Sequence, residues 1–218
     1  MRALLTTVVL VACCAFAGCG SSGKRTDNCA AFSACGGNIV GTWNYVSGCA
    51  TFMSATCPDE HTMTTPAPGA VATYTFGSDG TFTYTFSGGA NETINYSLGC
   101  LSAFTDAGIP QACADVQSLY RMSVGQDAGS GSAQIASATC SAGQNQTCNC
   151  TLAFSSLPQQ MQSGSYTISG NQVTITTPSA NGGAPDPGTP TDYCVSGNKL
   201  TIHLVTDSGT SGVLTLTR

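Results

Sequence analysis

A chain of 218 residues, with only 8% of them charged and eleven Asp and Glu against six Lys and Arg, is long enough for one β domain behind a leader. Nucleic acid and anionic lipid headgroups both require clustered Lys or Arg to displace counterions, and no such cluster occurs, so neither is expected as a partner. Thirteen cysteines instead point to a disulfide framework made in an oxidising compartment.

The first residues read as a targeting segment: one positive charge at Arg2, an apolar run over residues 3–16, then the small residues Ala17 and Gly18. The run is too short for a permanent bilayer span and fits the apolar region of a secretory signal. Phe16-Ala17-Gly18-Cys19 resembles the bacterial lipobox, which implies a lipoprotein signal peptide over 1–18 and acylation of Cys19 as the new N-terminus. Ala15-Phe16-Ala17 also satisfies the small-x-small pattern of ordinary cleavage, which would release a secreted chain with an unmodified Cys19.

Cysteine parity favours acylation. Once Cys13 and Cys14 leave with the signal and Cys19 carries lipid, ten cysteines remain and all can pair: Cys29, Cys35, Cys49, Cys57, Cys100, Cys113, Cys140, Cys148, Cys150 and Cys194. Ordinary cleavage leaves an odd thiol. Residues 19–36 are then a lipidated N-terminus and tether, and residues 37–218 a single domain. The expected location is the cell envelope, with the exported chain anchored through lipid at the outer membrane or the periplasmic face.

Beyond the tether, apolar residues alternate with Thr and Ser and are interrupted by Gly, Asn and Asp, the pattern of half-buried antiparallel strands. Residues 39–46 form the first such run and contain Trp43. Residues 72–76 and 81–86 flank Gly77-Ser78-Asp79-Gly80, whose Asp-Gly pair suits the positive φ values of a tight hairpin turn. Tyr74 and Phe76 share one face of their strand, as do Phe82, Tyr84 and Phe86, and that face is expected to be buried. Residues 93–98 are a further candidate strand.

The middle of the chain breaks the pattern. Within residues 100–122, Ala112, Val116, Leu119 and Tyr120 fall on one side of a short helix beginning just after Pro110. Residues 123–146 are rich in Gly, Ser, Ala and Gln, and residues 99–150 together read as a cysteine-rich, partly helical insertion held down by disulfides. Residues 166–175 then recur as 193–202, each copy an alternating run, a Ser-Gly-Asn turn and a second run. Two copies are too few for a solenoid or propeller, so they read as two similar hairpins. A Pro-rich loop over residues 180–190 separates them, and residues 213–217 form the last strand.

Gly41-Thr42-Trp43 on the first strand, the Gly77-Ser-Asp-Gly-Thr81 hairpin and Leu214-Thr-Leu-Thr-Arg218 at the end together resemble the lipocalin-like (calycin) proteins. The resemblance covers the β portions and not the cysteine-rich middle. It implies an all-β fold, an antiparallel lipocalin-like barrel whose interior takes a small apolar ligand. It also implies that Trp43 packs across the closed end against Arg218. Tyr74, Phe76, Phe82, Tyr84 and Phe86 are the candidate lining, unless they simply fill the barrel.

Catalysis finds little support. His61 follows Asp59-Glu60 in a Pro-flanked stretch that reads as a solvated turn, and His203 lies opposite in facing to Ile202 and Leu204, toward the outside. No Gly-x-Ser-x-Gly elbow occurs, so no catalytic residue is assigned and no enzyme is expected. Cys140, Cys148 and Cys150 have the spacing of thiolate metal ligands, but in an oxidising compartment an even set of cysteines favours disulfides, so neither metal nor cofactor is expected. Two functions fit: a monomeric, membrane-anchored binding protein for a small apolar or amphiphilic ligand, or a surface-displayed structural or interaction module using the insertion as its contact face.

Overall fold

The computed structural model describes residues 29, 31–52, 57, 60–101, 109–125, 134–178, 188–205 and 211–218. The signal segment, Cys19, nearly all of the tether before Cys29 and most of the Pro-rich loop lie outside the described residues. Ten strands are described: β1 Gly41–Phe52, β2 Glu60–Pro66, β3 Val71–Phe76, β4 Thr81–Tyr96, β5 Gln134–Ala142, β6 Cys148–Ser169, β7 Gln172–Thr176, β8 Thr191–Ser196, β9 Lys199–Val205 and β10 Ser211–Thr217. Two helices, α1 Leu98–Leu101 and α2 Ile109–Met122, lie between β4 and β5.

The strands form one antiparallel sheet. From β1 the ladder runs through β10, β9, β8, β7 and β6 to β4. It continues from β4 to β3, and β3 pairs with the first residues of β1, so this succession of pairings returns to its starting strand. Past the register shift between Tyr45 and Ser47, the second half of β1 pairs with β2 instead, and β2 in turn pairs with the second half of β4.

Turn chemistry sets the hairpins. At the β3–β4 turn only Gly80 has positive φ (+82°), so the Asp-Gly pair does not supply two such residues. Asp79 contributes through its carboxylate, which accepts from the Thr81 amide at 3.1 Å and from the Thr81 hydroxyl at 2.6 Å. The two Ser-Gly-Asn turns joining β6 to β7 and β8 to β9 place Gly170 and Gly197 at φ +58° and +62°.

Several segments differ from what the pattern suggests. β2 occupies the stretch that reads as a polar turn, because pairing on both edges satisfies its backbone although Thr62, not an apolar residue, is its buried position. Residues 93–96 are not a separate strand but the continuation of β4. The small-residue segment after α2 contains β5, and β6 begins among the cysteines and runs unbroken through 22 residues into the hairpin with β7. Helix α2 starts at Ile109, with Pro110 in its first turn, where a missing amide costs no helical hydrogen bond. Leu119 is 47% exposed rather than packed with Ala112 and Val116.

Two apolar clusters result. One gathers Ile39, Trp43, Phe76, Phe82, Tyr84, Phe86, Tyr166, Val173, Tyr193, Leu200, Ile202 and Leu216 within the cyclic ladder. The other packs Val116 of α2 and Ala138 of β5 against Ile94, Tyr96, Leu152 and Phe154 of β4 and β6. Leu157 touches both.

Candidate functional site

At one end of the first cluster, the Trp43 ring is fully buried and its indole N–H donates to the Ile39 carbonyl at 2.7 Å. The Arg218 guanidinium lies over it, with Cζ 4.0 Å from the ring centroid, and donates to the carbonyls of Val40 (2.8 Å) and Asn38 (3.2 Å). Gly41 stands between them at φ +131°; a Cβ there would lie 3.6 Å from the guanidinium, so contact permits a side chain but the backbone conformation does not.

The five aromatics singled out as candidate lining are brought together. Tyr74 packs on Tyr84 with ring centroids 4.6 Å apart, Phe76 on Phe82 at 5.3 Å, and Phe76 meets Tyr166 edge-on at 5.2 Å. Phe76, Phe82, Tyr84 and Phe86 are buried and Tyr74 partly so. Each of Tyr74, Phe76, Phe82 and Tyr84 has another ring as neighbour, and these contacts fill the interior near Trp43.

Ten residues along β4 from Phe82, beyond irregularities at Gly88, the same face carries a carboxyl group. Phe82, Tyr84, Phe86, Ala90, Glu92, Ile94 and Tyr96 are all buried on alternate positions, and Glu92 is only 5% exposed. Its cross-strand neighbours are Thr64 on β2 and Leu152 on β6. Among the described residues its Oε2 has no hydrogen-bond partner. Burial, reinforced by the charge of Glu60, pushes its pKa up to about 7, and burial also raises that of Glu60 on β2.

Tyrosines surround this carboxyl. Gly48 leaves room for the Tyr45 hydroxyl, since a Cβ there would lie 2.8 Å from it, and that hydroxyl donates to the Thr64 carbonyl at 2.8 Å. Tyr96 hydrogen-bonds to Tyr120 of α2. Burial is the leading cause, and the field of Glu92 a lesser one, that raises all three tyrosine pKa values. Glu60 falls in the stretch that reads as a polar turn, and Glu92 belongs to no motif. Its available signal was parity: Glu92 is the one acid on the even-numbered, otherwise apolar and aromatic face of β4.

The ten cysteines form five disulfides: Cys29–Cys49, Cys35–Cys194, Cys57–Cys100, Cys113–Cys148 and Cys140–Cys150. Cys113–Cys148 ties α2 to β6 and Cys140–Cys150 joins directly opposed residues of β5 and β6. The sulfurs of Cys140, Cys148 and Cys150 lie within 4.8 Å of one another, but all three are held in disulfide bonds.

His61 is on strand β2, not in a solvated turn; its Nδ1 is 3.0 Å from the Thr51 hydroxyl. His203 lies on the face of β9 opposite Ile202 and Leu204, but Phe32 stacks on it at 5.1 Å, and its Nε2 is 3.1 Å from the Ser211 hydroxyl. A hydroxyl–imidazole pair needs a further group to orient the base, and among the described residues no carboxylate is bonded to His203. No protein-family model matches the chain, and no curated protein or solved structure is similar enough to count as a match.

Proposed function

We propose that this protein is a non-enzymatic, lipid-anchored binding protein of the bacterial cell envelope, whose cyclic ladder is a lipocalin-like barrel for a small amphiphilic ligand. The observation that carries the reading is the buried Glu92 oxygen, which has no partner among the described residues. Leaving such a group unpaired costs about 1–3 kcal/mol, and a ligand presenting a polar end to it would recover that cost while its apolar part is taken up inside. The meander of pairings that returns to β1, and the Arg218–Trp43 cover at one end, agree with a barrel closed at that end. Five disulfides suit an exported chain, and acylation of Cys19 would hold it at the envelope as a monomer.

The test is thermal stabilisation of the mature protein across a panel of lipids and small amphiphiles, together with its intact mass after expression in a bacterial host. A ligand that binds only the folded state raises the melting temperature, with the logarithm of its concentration above Kd. No shift with any compound would remove the binding function, and an unmodified Cys19 would remove the anchor. A second reading, a protein-interaction module, has one observation in its favour: Leu119 and Met122 of α2 are 47% and 61% exposed.

A further inference from the structure

Resting on the reading of this interior as a ligand site, we infer that the polar end of the ligand is a protonated amine, held between Glu92 and Glu60 and walled by Tyr45, Tyr96 and Tyr120. Among the described residues the site supplies acids and no base. Three described cations exist: Arg218 is committed over Trp43, and Arg121 and Lys199 are exposed. None of them is among the causes that set the Glu60 and Glu92 pKa values. A buried carboxyl without a counter-ion attracts a cation more strongly than it would in water, because the surroundings screen the charge less.

The chemistry of the walls narrows the class. The second carboxyl repels a ligand carboxylate or phosphate. A divalent metal would want six or more oxygens, or an octahedral shell, whereas Leu152 and Ile94 close two sides of Glu92. Tyrosine faces add cation-π attraction for an ammonium group, and the Tyr45 hydroxyl, whose proton goes to Thr64, keeps lone pairs as acceptors.

The inference is tested with two isosteric series on the full mature protein: octylamine, octanol and octanoate, and 2-phenylethylamine, 2-phenylethanol and phenylacetate, read by calorimetry and melting temperature. At least one amine is expected to bind about tenfold or more tightly than its own alcohol, and the carboxylates weakest. The groups facing Glu92 are Glu60 from β2, Tyr45 from β1, Tyr96 from β4 and Tyr120 from α2, with apolar Leu152 opposite on β6. Glu92, whose pKa is about 7, changes charge near neutrality, so amine affinity should rise up to about tenfold between pH 6 and pH 8 while that of the alcohol stays level. Glu92→Gln, neutral and isosteric, should remove the pH-dependent gain in amine affinity, leaving only the attraction of Glu60. An alcohol or carboxylate that binds as well as its amine, or stabilisation by calcium chloride but by no amine, overturns the amine and leaves the ligand site standing. No binding by any compound overturns both.

Discussion

The Arg218 guanidinium bridges three parts of the chain at once: it covers the Trp43 ring at 4.0 Å, donates to the Val40 and Asn38 carbonyls, and its own backbone N–H donates to Asn198. The last residue thereby fastens the start of β1 to the β8–β9 turn. A cation over an indole at an exposed site is worth about 0.5–1 kcal/mol, and two hydrogen bonds to carbonyls add a similar amount each. Arg218→Ala is expected to lower unfolding free energy by about 1.5–3 kcal/mol. Urea unfolding of Arg218→Ala, Trp43→Phe and the double variant should give a coupling of a few tenths to about 1 kcal/mol. Strictly additive single effects would show that the ring and the guanidinium do not act together.

Disulfide removal should rank by loop length. Cys35–Cys194 closes 159 residues and Cys140–Cys150 only ten. Since the restriction of the unfolded chain grows with the logarithm of that separation, the long bridge should contribute about 2 kcal/mol more. Paired Cys→Ala variants compared by chemical denaturation test this; equal losses would place the effect of the bridges in the native state instead. Removing Cys113–Cys148 has a local signature as well, because it frees α2, and the tyrosine absorbance titration should then find Tyr120 ionising at a lower pH than in wild type.

Where apolar alternation and glycine turns coincide, the structure was legible from residues alone: the Gly77–Gly80 hairpin, the two Ser-Gly-Asn hairpins and α2 all lie where their side-chain periods put them. The strands β2 and β5 were not, because Thr and small residues occupy most of their positions and Met63 points outward at 51% exposure, so the period-two contrast is lost. Such strands exist through pairing at their edges, which is information held by their neighbours β1, β4 and β6. Glu92 escaped for a related reason. Glu92 keeps the even-numbered parity of Phe82, Tyr84 and Phe86, but that β4 runs on through Gly88 and Gly89 is set by its pairing with β2 and β6, where the register shifts, and not by the side-chain period.

That irregularity is itself testable. A Cβ on Gly89 would stand 2.3 Å from the Phe154 carbonyl oxygen, a backbone atom that cannot rotate away. Gly89→Ala should therefore push β4 from β6 and destabilise by about 1–3 kcal/mol. Gly125→Ala is the control: its Cβ meets nothing within 4 Å, and only the positive φ of +68° opposes it, at about 1 kcal/mol. If Gly89→Ala is the milder of the two by urea titration, the close approach of the strands is not a constraint.

The buried carboxyl also makes stability depend on pH in a direction opposite to that of an ion-paired acid. Glu92 holds its proton up to about 7 in the folded protein but releases it near 4.5 when exposed. Between these values the native state binds more protons than the unfolded chain, so raising the pH favours unfolding. The contribution is full below pH 4.5, falls by up to about 1.4 kcal/mol per pH unit, and is gone above about 7, a total on the order of 3 kcal/mol. Glu60 shifts in the same sense and adds to the loss, whereas the tyrosines titrate far above this window. Glu92→Gln stays neutral throughout, so urea unfolding at pH 5, 6, 7 and 8 should show wild type losing stability while the variant stays nearly level and overtakes it by pH 8. Parallel curves for the two proteins would mean that water reaches Glu92 freely, and the interior would then offer a ligand no unpaired acid.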